Sequence, residues 1–534
     1  MIPISFCALV PMVSSCGDFL KETSQDAEYV RSWSDLDELL IGDCYMPING
    51  THEFNMASSS CNYGSFLHLV SDELDEVNVP VGSYMVYDAH EASYGYYTWQ
   101  QRSGQNESYS GYSKENKEWT EVYKLINVAN NVLNSANNVP QNLDSEKQGV
   151  LKVMGEAHFL RAFYYFWLVN VYGKPYDPAT AATDPGVPLK LNSEVYDVKY
   201  DRSSVQAIYN QVLSDLHDAE NELTLYQTPK KSIYRADSTA VNMLLSRVYL
   251  YMQNWEKATE YAKKVIADHP RLEQLNSSTA DNVFMSSDNA ENIFSMGGDD
   301  TPLIVSIGTK GYSVSKDLYN TYSDNDYRKS QWYWKYSGYI GTIKRAKVDV
   351  FNTKYIKTNP EYYYNYYNYG MSGSQSPVSS LFWLRSAEAY LNLAEAEAYQ
   401  GHESTSKEAL LTLMKARYDS KDPNLDISSL TGSNLIAKIR KERRLELALE
   451  GHRWFDLRRW RVCSVQPEKI SITHTYTYYS ERNSATITSI RSYELTKEDS
   501  TWTLPIPSEV LQFNTGMAGN NNPIRKGTEI FKND

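Results

Sequence analysis

Cysteine is scarce in this chain, and the few cysteines are not spaced for a metal site or a disulfide framework. They are Cys7, Cys16, Cys44, Cys61 and Cys463. No two of them form a CxxC pair, and five cysteines in 534 residues are too few for a disulfide-dense scaffold. Cys44 and Cys61 could pair in an exported protein, but the sequence cannot fix the distance between them. Two small buried thiols are the simpler interpretation.

Positive charge, long apolar runs and catalytic motifs are also in short supply. The chain has 52 Lys plus Arg against 66 Asp plus Glu, a net charge of -14, which argues against a nucleic-acid partner. Beyond the N-terminus, no stretch approaches the roughly 20 apolar residues that a membrane-spanning helix needs. GxSxG, HExxH, Walker A and dinucleotide-binding motifs are absent. The sequence predicts no metal site and no cofactor; bound calcium stays open, but no acidic loop with calcium-ligand spacing supports it.

The N-terminus has the pattern of a lipoprotein signal peptide. Residues 1–15, MIPISFCALVPMVSS, are largely apolar and end in small residues just before Cys16, after which the chain turns polar. This pattern predicts removal of residues 1–15 and lipidation of Cys16. Several acyl chains on one cysteine would anchor the mature chain stably to a membrane. The alternative is that Cys16 is an ordinary core cysteine.

Helical periodicity dominates two parts of the chain, at about 115–270 and 380–460. The segment 155–173 is apolar over most of a helix circumference and is followed by Gly173 and Pro175. The segment around 235–270 has the small and large residues of a tetratricopeptide repeat, and a second helix pair is predicted at 384–401 and 407–420. One helical scaffold with interruptions therefore accounts for the pattern.

The helical period fails in three other parts of the chain. Ser, Asn, Asp, Gly and Tyr dominate the segments at about 40–114 and 271–380, which predicts long loops of the kind that carry function. The C-terminal part, 461–534, is predicted to be irregular, with short strands at THTYTYY and ATITSI. The sequence thus predicts little sheet.

Six segments together resemble the SusD/RagB family, and the resemblance extends from Cys16 to the C-terminus. The strongest is IRKERRLELALEGHRWFDLRRW at 439–460; the others are FLRAFYYFWLVNVYG, the stretch from Trp119 to Asn130, the tetratricopeptide-like pair, AEAYLNLAEAEA and LPIPSEV. The resemblance implies a mainly α fold in which tetratricopeptide-like pairs pack against a loop-rich ligand-binding part. It implies one domain over 16–534, and a place as a lid over a SusC-like TonB-dependent transporter in the outer membrane.

Two loop segments have the composition of a sugar-binding surface. Sugars present apolar C–H faces and a rim of hydroxyls, so a glycan site combines flat aromatic rings with polar side chains. The candidates in the first segment, 93–106, are Tyr96, Tyr97, Trp99, Arg102 and Asn106, and those in the second, 324–339, are Trp332, Trp334 and Tyr336. Because both segments are polar and irregular, we expect Trp99, Trp332 and Trp334 to be partly exposed. The tyrosine run at 362–369 is a secondary candidate.

The segment 439–460 also has the residue types of a catalytic site. Glu446, Glu450, His452 and Asp456 lie close together in it, but arginines at 440, 443, 444, 453 and 458 supply charge partners. An ion-paired helix end is the simpler interpretation, because structural charge networks imitate active sites.

Taken together, the sequence predicts a surface lipoprotein that captures an extracellular oligosaccharide for a transporter and is not an enzyme. Two alternatives stay open. The first is an oligopeptide-binding member of the same family, which would use backbone hydrogen-bonding edges. The second is a glycoside hydrolase, because two carboxylates suffice for that chemistry.

Overall fold

The computed structural model describes residues 30–46, 64, 66–76, 84–107, 115, 117–194, 196, 198–226, 232–276, 284–296, 311–336, 339–342, 378–379, 381–481 and 486–533. For residues 84–89, 117, 334–336 and 339–342 it describes the backbone alone. The predicted signal peptide, Cys16, Cys61 and the tyrosine run at 362–369 lie outside the described residues.

Helices dominate the described part of the chain, which confirms the mainly α fold. Their bounds are Trp33–Leu39 (α1, continued by a π-helical turn, Leu40–Cys44), Leu67–Val70 (α2), Tyr84–Tyr97 (α3), Lys117–Ala136 (α4), Asp144–Tyr172 (α5), Val205–Leu225 (α6), Ser238–Tyr251 (α7), Trp255–Asp268 (α8), Lys316–Thr321 (α9), Tyr327–Gln331 (α10), Ser386–Tyr399 (α11), Glu403–Lys415 (α12), Gly432–Glu446 (α13), Arg453–Arg461 (α14) and Ser508–Phe513 (α15).

The central helix α5 is buried over most of its length, as its apolar circumference predicts. It ends at Gly173, whose backbone N–H donates to the Val169 carbonyl. A Cβ atom at Gly173 would lie 2.7 Å from that same carbonyl oxygen, so the close approach requires glycine. Helix α6 packs antiparallel against α5 and begins at Ser204, whose hydroxyl accepts from the Ala207 N–H.

The tetratricopeptide-like pair is α7 and α8, as predicted. Asp237 and Asn254 cap the two helices through their side chains. Small residues let the helices approach closely: the Ser246 hydroxyl of α7 donates to the Ala258 carbonyl of α8 at 3.1 Å. Helix α11 then packs on α8, which joins this pair to the next one.

The second pair is α11 and α12, and it was also predicted. A similar contact closes it, because the Ser406 hydroxyl of α12 donates to the Ala394 carbonyl of α11 at 2.6 Å. Gly401 makes the turn between them with a φ of 79°, a conformation that favours glycine. Helix α12 begins at Glu403, four residues before the predicted start.

The strands are short, except at the C-terminus. They are Leu74–Glu76 (β1), Asn292–Ser295 (β2), Tyr312–Val314 (β3), Tyr333–Tyr336 (β4), Tyr339–Thr342 (β5), Trp383–Arg385 (β6), Ile472–Tyr479 (β7), Ile487–Leu495 (β8) and Thr528–Lys532 (β9). All pairings are antiparallel: β1 with β3, β2 with β6, β4 with β5, and a three-stranded sheet in the order β7-β8-β9.

The C-terminal part, 461–534, contains strands at both predicted places, and these strands are longer than expected. In β7 the side chains of His474 and Tyr476 are buried, whereas Thr473 and Thr475 between them are exposed. This alternation is what a half-buried strand requires, and it is legible in the sequence THTYTYY. The strands exceed the predicted short ones because β8 supplies a matching partner for all of β7.

One continuous core joins the early helices to the C-terminal sheet. Cys44 belongs to it as a free, buried thiol that donates to the Leu125 carbonyl at 3.6 Å. Within the described residues, none of the helices combines the length and the apolar character needed to cross a bilayer. The assignment of residues 16–534 to one domain stays a prediction.

Candidate ligand-binding site

The first aromatic segment, at the end of α3, packs inward. The His474 ring of β7 lies between the rings of Tyr97 and Trp99, with centroid distances of 4.2 Å and 4.3 Å and nearly parallel planes. The Trp99 indole N–H also donates to the Val70 carbonyl at 3.0 Å. Tyr96 stacks on Phe66 at 4.6 Å. Each of these rings therefore has a protein partner in the position where a sugar was expected.

The predicted exposure of Trp99 and Trp332 is wrong. Each side chain is 1% exposed, and Tyr96 and Tyr97 are buried as well. Trp99 is buried because β7 supplies a ring and the last residue of α2 supplies a carbonyl acceptor for it. A ring in this state cannot offer a face to a ligand, so burial argues against the predicted ligand contacts of Tyr96, Tyr97, Trp99 and Trp332.

A cluster of phenol rings continues the packing toward the surface. The hydroxyls of Tyr94, Tyr478 and Tyr493 bond to one another at 2.6 to 3.1 Å. Tyr476, between them and His474 on the same face of β7, donates its hydroxyl to the Glu107 carboxylate at 2.8 Å. Together Tyr94, Tyr97, Trp99, His474 and Tyr476 are here called the ring cluster.

The ring cluster ends in a partly exposed edge, here called the tyrosine rim. Its residues are Asn106, Glu107, Tyr478 and Arg491, all of intermediate burial. The Arg491 guanidinium lies 5.1 Å from the centre of the Tyr478 ring. An aromatic ring beside amide, carboxylate and guanidinium groups is the combination that orients a hydroxylated ligand. Of the predicted site residues, Asn106 belongs to this rim.

Arg102 flanks the rim and is held in place by its neighbours. Its Nε and Nη2 atoms donate to Glu115 at 3.1 and 2.7 Å, and Nη2 also donates to Ser508 at 2.6 Å. Burial raises the pKa of Glu115, but hydrogen bonds from Arg102 and Ser508 outweigh it and lower that pKa below its ordinary value. The Arg102 side chain is still 30% exposed, so it can reach a ligand.

A buried acid lies beneath the ring cluster. The Glu76 carboxylate accepts from the Thr477 N–H and hydroxyl at 2.9 Å each, and His90 Nδ1 lies 3.3 Å away. Burial raises the pKa of Glu76 to about 8, despite these hydrogen bonds. At neutral pH the carboxyl group is therefore largely protonated.

The second aromatic segment includes α10 and β4. Trp332 follows α10 and packs against Phe284 at 4.7 Å. Trp334 and Tyr336 lie on β4, for which the structure describes the backbone only. The partner strand β5 lies against β3, and Tyr312 of β3 packs on Tyr97 at 4.9 Å. Strand β3 thus contacts both Tyr97 of the first segment and the strand that pairs with β4.

Sequence reasoning missed Tyr478 and Arg491, which belong to the C-terminal sheet. The alternating aromatics in THTYTYY indicated a strand with a ring-bearing face. Nothing in the sequence paired that face with α3, because Tyr478 and Tyr94 are 384 residues apart.

The carboxylates of the motif at 439–460 are bound by arginines. Glu446 accepts from three guanidinium groups, those of Arg328, Arg385 and Arg417, at 2.6 to 2.9 Å. Burial raises the pKa of Glu446, but these arginines outweigh it and hold that pKa well below its ordinary value. The group formed by Arg328, Arg385, Arg417, Glu291, Glu442, Glu446 and Glu450 is here called the ion network.

Asp456 has the predicted ion-pair role, whereas His452 does not. Asp456 pairs with Arg443 and Arg459, each at 2.8 Å. Burial, together with the surrounding arginines 247, 443, 385 and 459, holds the pKa of His452 well below its ordinary value. Its ring is therefore uncharged and carries no ion pair. Saturation of these carboxylates by arginine agrees with a structural role for the motif.

The fold and the site define a helical-repeat scaffold whose inserted segments carry a polar and aromatic surface. Two family models match this chain. The model described as the SusD family matches residues 246–524, and the one described as starch-binding associating with outer membrane matches residues 73–250. The chain belongs to the SusD family.

Curated relatives and solved structures agree with this assignment. SusD-like protein P2 of Formosa agariphila is 26% identical over 64% of this chain and 71% of its own length. A SusD-like protein of Bacteroides ovatus is 22% identical over 72% and 71%. A structure from Bacteroides vulgatus, described as a putative sugar binding protein, shares 19% identity and the fold, with a TM-score of 0.67 over 92% of this chain and 99% of its own.

Proposed function

We propose that this protein captures an extracellular oligosaccharide at the outer membrane and delivers it to a SusC-like TonB-dependent transporter, without cleaving it. The observation that carries the proposal is the pair of family matches, which together extend over residues 73–524 and whose descriptions include starch binding and outer-membrane association. A solved structure with the same fold is described as a putative sugar binding protein. The arginine-bound carboxylates of Glu446, Glu450 and Asp456 fit a structural role rather than catalysis.

The ligand contacts in this proposal come from the tyrosine rim and Arg102, together with Trp334 and Tyr336 of the adjoining hairpin. Sugar hydroxyls take hydrogen bonds from the guanidinium groups of Arg102 and Arg491 and from the Asn106 amide. The Glu107 carboxylate accepts from them. A ring beside such groups covers the apolar face of a pyranose.

A binding and cleavage assay with the purified mature chain tests the proposal. The chain is screened against polysaccharides, oligosaccharides and peptides, and each ligand that binds is incubated with the protein and analysed for products. We expect an oligosaccharide to bind and to be recovered intact. Shortened products would mean hydrolysis, and binding of peptides alone would favour the oligopeptide alternative.

Membrane attachment is proposed to come from a lipid on Cys16. The Cys16→Ser variant, expressed in a bacterium that makes this protein, should leave the outer-membrane fraction, whereas Cys463→Ser, which changes a buried thiol, should stay in it. Unchanged retention of Cys16→Ser would refute the anchor.

The transporter partnership has its own test. A tagged chain, purified from membranes in mild detergent, should bring down a TonB-dependent transporter in a stable complex. Repeated recovery of the tagged chain without any such transporter would contradict the partnership and leave sugar binding untouched.

A further inference from the structure

Three metal-ligating side chains lie together on α5 and α6, which are different elements from those of the tyrosine rim. They are His158 of α5 and Asp215 and Asp218 of α6, and one donor atom of each lies within 4.8 Å of the others. Residues three apart on a helix share a face, so both aspartates project from α6 toward the same side. The set combines one imidazole nitrogen with two carboxylates from two helices.

A fourth residue, Glu222, orients the ring of His158. His158 Nδ1 lies 2.8 Å from Glu222 Oε2, and the two side chains are only 12% and 14% exposed. A carboxylate accepts hydrogen bonds and does not donate them, so Nδ1 is the donor to Glu222 and Nε2 is the ring nitrogen that can bind a metal ion. This carboxylate contact is the one that orients metal-ligating histidines and increases their basicity.

The local charge matches a divalent cation. Arg161 binds both oxygens of Asp215, at 2.6 and 2.9 Å, so their charges offset each other and the Asp215 carboxylate is held in place. Oδ2 accepts the Nε bond of Arg161, which leaves it a lone pair for a cation. Beyond this pair, Asp218 and Glu222 supply two further carboxylates beside the imidazole of His158.

We propose that His158, Asp215 and Asp218 bind a divalent transition-metal ion of the zinc type, with Glu222 as the residue that orients His158. An imidazole ligand favours zinc and its neighbours over magnesium and calcium, which take oxygen ligands. Three protein ligands leave the remaining coordination to water. Asp218 is exposed, so the ion enters from solvent and then links α5 to α6. This site goes beyond the proposed capture of sugars and does not depend on it.

Metal titration of the full mature chain tests the site. After treatment with a chelator, the protein is titrated with ZnCl2 by calorimetry and with CoCl2 by visible absorption. We expect one zinc ion per chain, a zinc-dependent rise in melting temperature, and no displacement by calcium. His158→Gln and Asp218→Asn should each weaken zinc binding at least about tenfold, and Glu222→Gln should weaken it about 10- to 100-fold.

A matched histidine and an exposed carboxylate keep the test interpretable. His217→Gln removes a histidine of α6 whose Nε2 bonds the Tyr249 hydroxyl, and it should leave zinc affinity unchanged. Asp218→Asn changes an exposed side chain, so it should melt like the wild type without metal. Failure of the wild type to bind zinc would overturn the proposal. So would a zinc affinity that is equal in the wild type, His158→Gln and Asp218→Asn.

Discussion

The ion network and the ring cluster are both built from residue types that usually signal chemistry, and the structure buries both. In the ion network, each carboxylate of Glu446 and Glu450 is bound by arginine. In the ring cluster, the rings of Trp99 and Tyr97 both stack on His474. The two regions differ at their boundary, because the ring cluster alone leads outward into a partly exposed polar rim. What a side chain contacts, rather than its residue type, therefore distinguishes a packed residue from a candidate ligand contact.

Removing one carboxylate from the ion network should give the largest effect. Glu446→Gln leaves the guanidinium groups of Arg328, Arg385 and Arg417 without their shared charge, and we expect it to lower the free energy of unfolding by about 5 kcal/mol. Urea unfolding at neutral pH measures this. Glu468→Gln is the control, because Glu468 is partly exposed and pairs with Arg440 alone. A loss below about 1 kcal/mol for Glu446→Gln would mean that the network is dispensable.

Substitutions in the ring cluster should also lower the free energy of unfolding, as they do in a hydrophobic core. Trp99→Ala removes an indole that is stacked on His474 and bonded to Val70, so the free energy of unfolding should fall by about 3 to 4 kcal/mol. Thermal and urea unfolding measure the change. Tyr478→Phe keeps the ring at the edge of the same cluster and should cost only about 1 kcal/mol. Equal stability of Trp99→Ala and the wild type would contradict the burial of Trp99 and support the exposed position that the sequence predicted.

The buried acid beneath the rings should make stability depend on pH. The pKa of Glu76 is raised from 4.5 to about 8, so the unfolded chain loses this proton first, and stability falls as pH rises from about 4.5 to about 8. Glu76→Gln removes this loss, and between pH 5 and pH 8 the wild type should lose on the order of 3 to 4 kcal/mol more than the variant. Parallel urea titrations at both pH values measure the difference. Glu494→Gln, on the exposed side of β8, should behave like the wild type.

The tyrosine rim should show the opposite pattern, with an effect on binding and almost none on folding. Arg491→Ala and Asn106→Ala should each lower the affinity for the oligosaccharide several-fold, about 0.5 to 1.5 kcal/mol. The free energy of unfolding should change by less than about 0.5 kcal/mol. Calorimetric titration paired with thermal melts separates the two quantities. Lys497→Ala is the control, because Lys497 pairs with Glu498 alone. Unchanged affinity in both rim variants would move the contacts to Trp334 and Tyr336.

The helical scaffold was readable from the sequence because its signals are local. Gly173 ends α5, Asp237 caps α7, and Ser246 sits where two helices meet, each within a few residues of the pattern that predicts it. The ion-pair role of Asp456 was readable for the same reason, since Arg443 and Arg459 lie 13 and 3 residues away from it.

The burial of the aromatic residues could not be predicted from the sequence, because the residues they contact are remote in the chain. Trp99 lies in a polar segment, which predicted exposure, yet its stacking partner His474 comes from a strand near the other end. No periodicity within residues 93–106 reports on that strand. Asn106 was a candidate because of its residue type and location. Placing Arg491 beside it needs the pairing of β7 with β8 and the contact of β7 with α3, which the sequence does not reveal.

The contact between the loop after α3 and the end of the chain bears on the order in which this protein acquires its structure. The Gln100 amide donates to the Arg525 carbonyl at 3.0 Å and accepts from the Arg525 N–H at 3.2 Å, across 425 residues. Such closures are entropically costly and slow folding, whereas α7 and α8 need only neighbours to form. We expect a chain that ends before β7 to build its helix pairs and to leave the Trp99 indole reactive toward quenchers. The proposed ligand-binding surface is then the last part of the protein to form.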